Sequence, residues 1–269
     1  MVRRARHCLK IGLRFASQAA CTVGTVSVLA TAPAVGQTTP PSVDTSAHRL
    51  ALDGTRIHAS QHTYRLVLTD TAVRSLGEIE FQVAESQHGG APAWVLTRLG
   101  AQGVNAVAES LFVARATLRP LHWRAAQGPA RLAAEFVGDS VFGAMTSPLG
   151  KQNIVLRNRG DLLVSVGAVD ALLEAVPLRQ GWSDSITVLV VDPAGSIAVP
   201  ATIAVVGDER LVLLSGDFDC WLVQLETERG VERLWVSKKD QTVVRSEQSL
   251  PQLGGAILDR ILIRTGPPT

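Results

Sequence analysis

The stretch Cys220-Trp221-Leu222-Val223-Gln224-Leu225-Glu226-Thr227-Glu228-Arg229-Gly230-Val231-Glu232-Arg233-Leu234-Trp235-Val236-Ser237 decides the fold. Trp221, Val223 and Leu225 share one side of the first arm, and Leu234 and Val236 repeat the pattern on the second. Side chains of an extended chain alternate between two faces, so each arm reads as a strand with one apolar face. Between them Glu228-Arg229-Gly230 supplies turn chemistry, and the whole reads as a β-hairpin.

The same period of two extends outward in both directions. Tyr64, Leu66 and Leu68 share a face, and Ile79, Phe81 and Val83 alternate with Glu78, Glu80 and Gln82. Further alternating runs cover 94–99, 106–115, 121–126, 131–137, 141–146, 153–157, 186–191, 199–206, 210–214, 242–248 and 257–263. Turn signals such as His88-Gly89-Gly90, Gln127-Gly128-Pro129 and Gly138-Asp139 separate them. Many short strands with close turns predict an antiparallel meander. One helix is expected at 168–176, where Val169, Leu172, Leu173 and Val176 fall on one face and Pro177 stops the run. The expected fold class is mainly β: a curled antiparallel sheet, or half-open β-barrel, with one short helix packed on it. Runs 186–191 and 203–206 are apolar on both faces, which predicts cover on both sides, and Pro200 predicts an edge or bulge.

The N-terminal 36 residues read as a signal peptide. Arg3, Arg4, Arg6, Lys10 and Arg14 precede an apolar and small stretch from 19 to 35, and small residues at 32, 34 and 36 suit cleavage after Ala34 or Gly36. Thr, Ser, Gly and Pro33 interrupt that stretch, so it is a poor membrane span and the mature protein is not expected to be integral to the membrane. Residues 37–47, rich in Thr, Pro and Ser, read as a disordered linker, and 48–265 as a single β-rich domain. Without the leader, 21 basic residues face 24 acidic ones, and the net charge moves from +2 to −3. The apparent basicity therefore belongs to the leader, and nucleic acid is not an expected partner. Of three cysteines only Cys220 remains in the mature part, where it reads as a buried apolar residue.

No nucleophile elbow, paired zinc histidines, phosphate loop or dinucleotide fingerprint occurs. His58 and His62 have helical spacing but lead into a strand, so no metal site is expected. Asp217 and Asp219 flank Phe218 at a turn entering a strand; with His122 they would supply the groups for a hydrolase, provided that they converge. No catalytic residue and no cofactor is assigned. Trp94, Trp182 and Trp221, three of the five tryptophans, are the candidate ligand-binding residues, because an apolar pocket is commonly lined by such side chains.

Three segments carry a family resemblance. Ala116-Thr117-Leu118-Arg119-Pro120-Leu121 is similar to a short motif of a group of uncharacterised bacterial envelope proteins. Residues 170–181, with Val176-Pro177-Leu178 and Gly181 at their end, resemble that group's central helix. The hairpin from Cys220 through Leu234-Trp235-Val236-Ser237-Lys238-Lys239-Asp240 to Val243-Val244-Arg245 resembles its closing hairpin. The group looks akin to the periplasmic lipoprotein carriers of the LolA/LolB-like superfamily, although this chain has one evident helix where the carriers have several. The resemblance implies an exported, periplasmic or envelope-associated, non-enzymatic protein that holds a lipid or other apolar ligand. The alternative is a structural or protein-interaction module of the envelope without a ligand cavity.

Overall fold

The computed structural model describes residues 50, 52–100, 106–157, 162–163, 166–192 and 195–266; the expected signal peptide and linker lie outside them. A short 3-10 turn, Gly54–Arg56, precedes the sheet. The first meander is β1 (Ser60–Thr69), β2 (Val73–His88), β3 (Ala91–Gly100), β4 (Val107–Ala114), β5 (Pro120–Gln127), β6 (Ala130–Val137), β7 (Ser140–Ser147) and β8 (Gly150–Arg157). Then come β9 (Leu162–Leu163) and the helix α1 (Val166–Ala175). The second meander is β10 (Ser183–Asp192), β11 (Gly195–Leu213), β12 (Gly216–Thr227), β13 (Gly230–Ser237), β14 (Val243–Leu250) and β15 (Ala256–Gly266).

The fifteen strands among the described residues form one sheet in the order β8-β7-β6-β5-β4-β3-β2-β1-β15-β14-β13-β12-β11-β10-β9. Pairing is antiparallel throughout except between β9 and β10, which run parallel. The two meanders meet where β1 pairs with β15, Leu66 opposite Arg260 and Tyr64 opposite Leu262. One consequence of this order is geometric. β8 and β9 stand at opposite ends of the sheet, yet only five Cα steps separate Arg157 from Leu162, a reach of at most about 18 Å. The sheet therefore curls back on itself, and β8 comes alongside β11 without being hydrogen-bonded to it. It is a mainly β, curled, unclosed sheet with one short helix.

Cross-strand partners share a face, and the inward face is apolar from one meander to the other. Leu96, Leu111, Trp123, Ala134 and Ile154 on the first belong to the same buried cluster as Ile203, Val223 and Leu234 on the second. A second cluster gathers Tyr64, Ile79, Phe81, Leu211, Cys220, Trp235, Val244 and Leu262.

The expected hairpin is present, with Trp221, Val223 and Leu225 opposite Val236, Leu234 and Glu232. Pro200 sits where β11 pairs with Thr187 of β10 but lies just outside its pairing with β12, which begins at Ala201. At Pro200 the strand is therefore paired on one side only, as an edge position is. Two expectations are corrected. Runs 199–206 and 210–214 are parts of one strand, β11, which bends at a bulge between Val205 and Gly207. Val206, the unpaired residue of that bulge, is 50% exposed, so the cover expected on both faces of 203–206 fails at its end. On β10 both faces are covered as expected: Ile186 and Leu189, three apart, are both buried.

Candidate functional site

The helix is the feature around which a site is built. Ala168, Val169, Ala171, Leu172, Leu173, Ala175 and Val176 are all buried, so α1 is enclosed by the curled sheet around most of its circumference. A helix lying on a surface would bury one stripe. Small alanines let the sheet approach on the sides where the larger residues do not point. The remaining stripe carries Gly167, Asp170 and Glu174, three and four residues apart and therefore on one face.

That polar stripe meets the inner face of β1, β2 and β15. Arg260 of β15, 4% exposed, donates two hydrogen bonds to Asp170, at 2.6 and 2.9 Å, and a third from Nε to the Ser246 hydroxyl at 3.2 Å. Its guanidinium lies over the rings of Tyr64 and Phe81, at 4.7 and 4.8 Å. Burial is the largest single influence and opposes its charge, but the charge and hydrogen bonds of Asp170, with Tyr64 and Glu232 nearby, together push its pKa above the usual arginine value. Tyr64 donates its hydroxyl to the Val243 carbonyl at 2.9 Å, and burial followed by the nearby Asp170 pushes that hydroxyl's pKa up.

Glu174 lies one turn beyond Asp170. Burial is the first cause, and the charges of Asp170 and Asp240 the next, that push its carboxyl up to about 8, against a hydrogen bond from the His58 backbone N–H that favours ionisation. Glu232 is raised in the same direction, mainly by burial. His62 is shifted down by burial, and its Nδ1 has no hydrogen-bond partner. His62, Asp170 and Glu174 border a cleft with Gln82, Thr97 and Thr242. It spans about 360 Å³ including the part open to solvent, and its enclosed part has room for about one water molecule.

The C-terminal end of α1 is tied to the loops. Gln241, in the β13–β14 turn with a left-handed φ of 58°, donates from Nε2 to the Val176 carbonyl at 2.9 Å, and Arg56 donates to its Oε1 at 2.9 Å. The Asp53 N–H donates to the Ala175 carbonyl at 3.3 Å. These donors satisfy carbonyls that a helix end leaves without intrahelical partners.

The three candidate tryptophans all belong to the interior cluster. Trp94 is buried, donates from Nε1 to the Gly54 carbonyl at 3.2 Å and has the Arg115 guanidinium 5.0 Å from its ring centre. Trp182 and Trp221 are partly buried against the same cluster, and Lys238 Nζ stands 4.3 Å from the Trp221 ring. Trp235 belongs to the second cluster and donates to Glu209 at 2.9 Å. Asp217 is engaged by Arg210 at 2.8 Å, while His122 is bonded to Glu135 at 2.6 Å on strands eight and nine places away in the sheet order. No group of His, Cys, Asp and Glu among the described residues is arranged to hold a metal ion, and no described helix is long and apolar enough to cross a membrane.

Asp170, Glu174 and Arg260 are not singled out by the sequence, and His62 enters there only as half of a metal pair set aside. One signal was present for Arg260: it occupies an inward position in an alternation whose neighbours are Leu258 and Leu262, where a charge demands a buried partner.

No family model matches the chain, and no curated protein does. Among solved structures, the hypothetical lipoprotein YmcC from Escherichia coli K12 is 12% identical over 80% of this chain and 88% of its own, with a TM-score of 0.31. A Bacteroides fragilis protein described as exported and as having a YmcC-like fold is 14% identical over 81% of this chain and 100% of its own, with a TM-score of 0.34.

Proposed function

We propose that this chain is an exported, non-enzymatic protein of the cell envelope that holds an apolar moiety, a lipid or acyl chain, in the hollow of its curled sheet. In the ligand-free form α1 fills that hollow. The observation that carries the reading is the placement of α1: a helix of ten residues, ~15 Å long, lies against an apolar inner face that continues from one meander to the other. So short a helix has little stability of its own in water and depends on the sheet for its burial. An acyl chain offers the same face an equivalent apolar surface, so helix and ligand compete for one space. The leader of basic and apolar residues supports export, and the segments similar to a group of envelope proteins akin to lipoprotein carriers agree with carriage of a lipid.

A second reading is a structural or protein-interaction module. It rests on the completeness of α1's own burial, with Leu173, Ala175 and Val176 wholly enclosed, as in a permanent core. Native mass spectrometry of the exported form, followed by solvent extraction and titration with a fluorescent fatty acid, separates the two. The carrier reading expects an extractable lipid mass or saturable uptake. A clean apo mass with no uptake contradicts it and leaves the module.

A further inference from the structure

We infer that the outer face of β5, β6, β7 and β8 docks on an anionic lipid surface, with Phe142 and Val155 entering the interface and the cations around them meeting the lipid phosphates. This goes beyond the interior ligand proposed above and does not depend on it, because every side chain invoked stands on the face turned away from the hollow.

Strand register defines the face. On β8 Ile154 is buried in the interior cluster, so Lys151, Asn153, Val155 and Arg157 stand on the other side, and all four are exposed. Val155 pairs directly with Phe142 on β7, Phe142 with Glu135 on β6, and Glu135 with His122 on β5, a row across four strands. Val155 is 70% exposed and Phe142 48%, and Val137, the next residue on that face of β6, is 64% exposed. Phe142 is the one aromatic ring among the exposed large apolar residues that are described. A single exposed valine is ordinary, but two valines adjoining an exposed phenylalanine make a patch.

Cations surround that row. Lys151 and Arg157 flank Val155 on its own strand, Arg131 lies across Thr146 from Lys151, and Arg124 follows His122 on the same face of β5. Among the described residues none of these four has an ion-pair partner; Arg131 donates only to the carbonyls of Gly128 and Ala130. Glu135, the acid within the row, is bonded to His122 at 2.6 Å, and Asp139 at the β6–β7 tip has Arg119 at 3.8 Å. Residues 119–157 hold five basic and two acidic residues, whereas the rest of the chain after residue 36 holds 16 and 22. A chain that is acidic as a whole thus gathers its positive charge beside its exposed ring. An apolar centre with basic residues around it is complementary to an anionic bilayer surface. Lys151 and Arg157 are six residues apart, about 20 Å along the strand, so what meets both is an extended negative surface and not one anionic group.

Flotation of the exported form with vesicles of equimolar phosphatidylglycerol and phosphatidylcholine, and with vesicles of phosphatidylcholine alone, at low and high salt, tests this. Binding is expected on the anionic vesicles only, and it should fall steeply with salt. Lys151→Gln combined with Arg157→Gln should weaken it on the order of twentyfold, about fivefold for each cation. Phe142→Ser should weaken it measurably, whereas Leu214→Ser, at a hairpin tip where Arg210 is already paired with Asp217, should leave it unchanged. All these side chains are exposed, so unaltered urea midpoints separate lost docking from lost folding. Absence of wild-type binding to the anionic vesicles overturns the inference, and so does binding that survives the Lys151 and Arg157 replacements or falls equally in Leu214→Ser. Salt-sensitive retention on immobilised polyglutamate without vesicle binding also overturns it, and assigns the face to an acidic protein. Since the replaced side chains lie outside the hollow, failure here is distinct from failure to bind an apolar ligand inside.

Discussion

Arg260 carries its charge where 4% of its surface reaches solvent, and the residues around it share that cost: Asp170 by two hydrogen bonds, Ser246 by one, Tyr64 and Phe81 by their ring faces. Removing one partner of such a pair is far more damaging than removing both. Asp170→Ala is expected to lower stability by about 3–5 kcal/mol in urea unfolding, because the guanidinium stays buried and uncompensated. The double replacement Asp170→Leu with Arg260→Met should recover most of that loss. A loss below ~1 kcal/mol for Asp170→Ala would show that the pair is solvated and that the helix is not enclosed as described. Gly54 makes a different residue-scale demand: a Cβ there would overlap the Arg115 carbonyl oxygen, and its own carbonyl accepts from Trp94. Gly54→Ala should therefore destabilise by ~1–3 kcal/mol, seen as a lower urea midpoint with an unchanged slope.

For the helix as an element, the informative fact is how little of it faces water. Leu173→Ala should cost ~2–5 kcal/mol, the range for a buried leucine whose surroundings cannot collapse. Leu214→Ala, at a hairpin tip where the leucine is 92% exposed, should change stability by less than ~0.5 kcal/mol. Equal losses at the two sites would contradict the burial. The helix was legible in the sequence because Val169, Leu172, Leu173 and Val176 recur at helical spacing before Pro177. Its enclosure was not, since a period identifies one apolar face and says nothing of Ala168, Ala171 and Ala175, which are small enough to be buried or exposed in either case. Asp170 and Glu174 escaped attention for the same reason: on a helix expected to pack by one face, two carboxylates on the other read as solvated. The single strand β11 was read as two, because Gly207-Asp208 has turn chemistry but here lies beside a bulge.

At the scale of the whole molecule, the alternation of short strands and turns made the antiparallel meanders readable. Their assembly into one sheet depends on the pairing of β1 with β15, which joins residues about as far apart as the described chain allows and leaves no local mark. The curl, in turn, depends on the short path from β8 to β9, visible only when the strand order is known. It brings Trp94, Trp182 and Trp221 to one interior cluster and leaves Trp235 in another. That division allows a direct test of the claim that an apolar ligand takes the interior. The measurement is quenching of tryptophan fluorescence by a brominated fatty acid in the wild type and in four single Trp→Phe variants. The carrier account predicts saturable quenching whose amplitude falls in Trp94→Phe, Trp182→Phe and Trp221→Phe and is retained in Trp235→Phe. Absence of quenching, or quenching lost only in Trp235→Phe, would contradict an interior site.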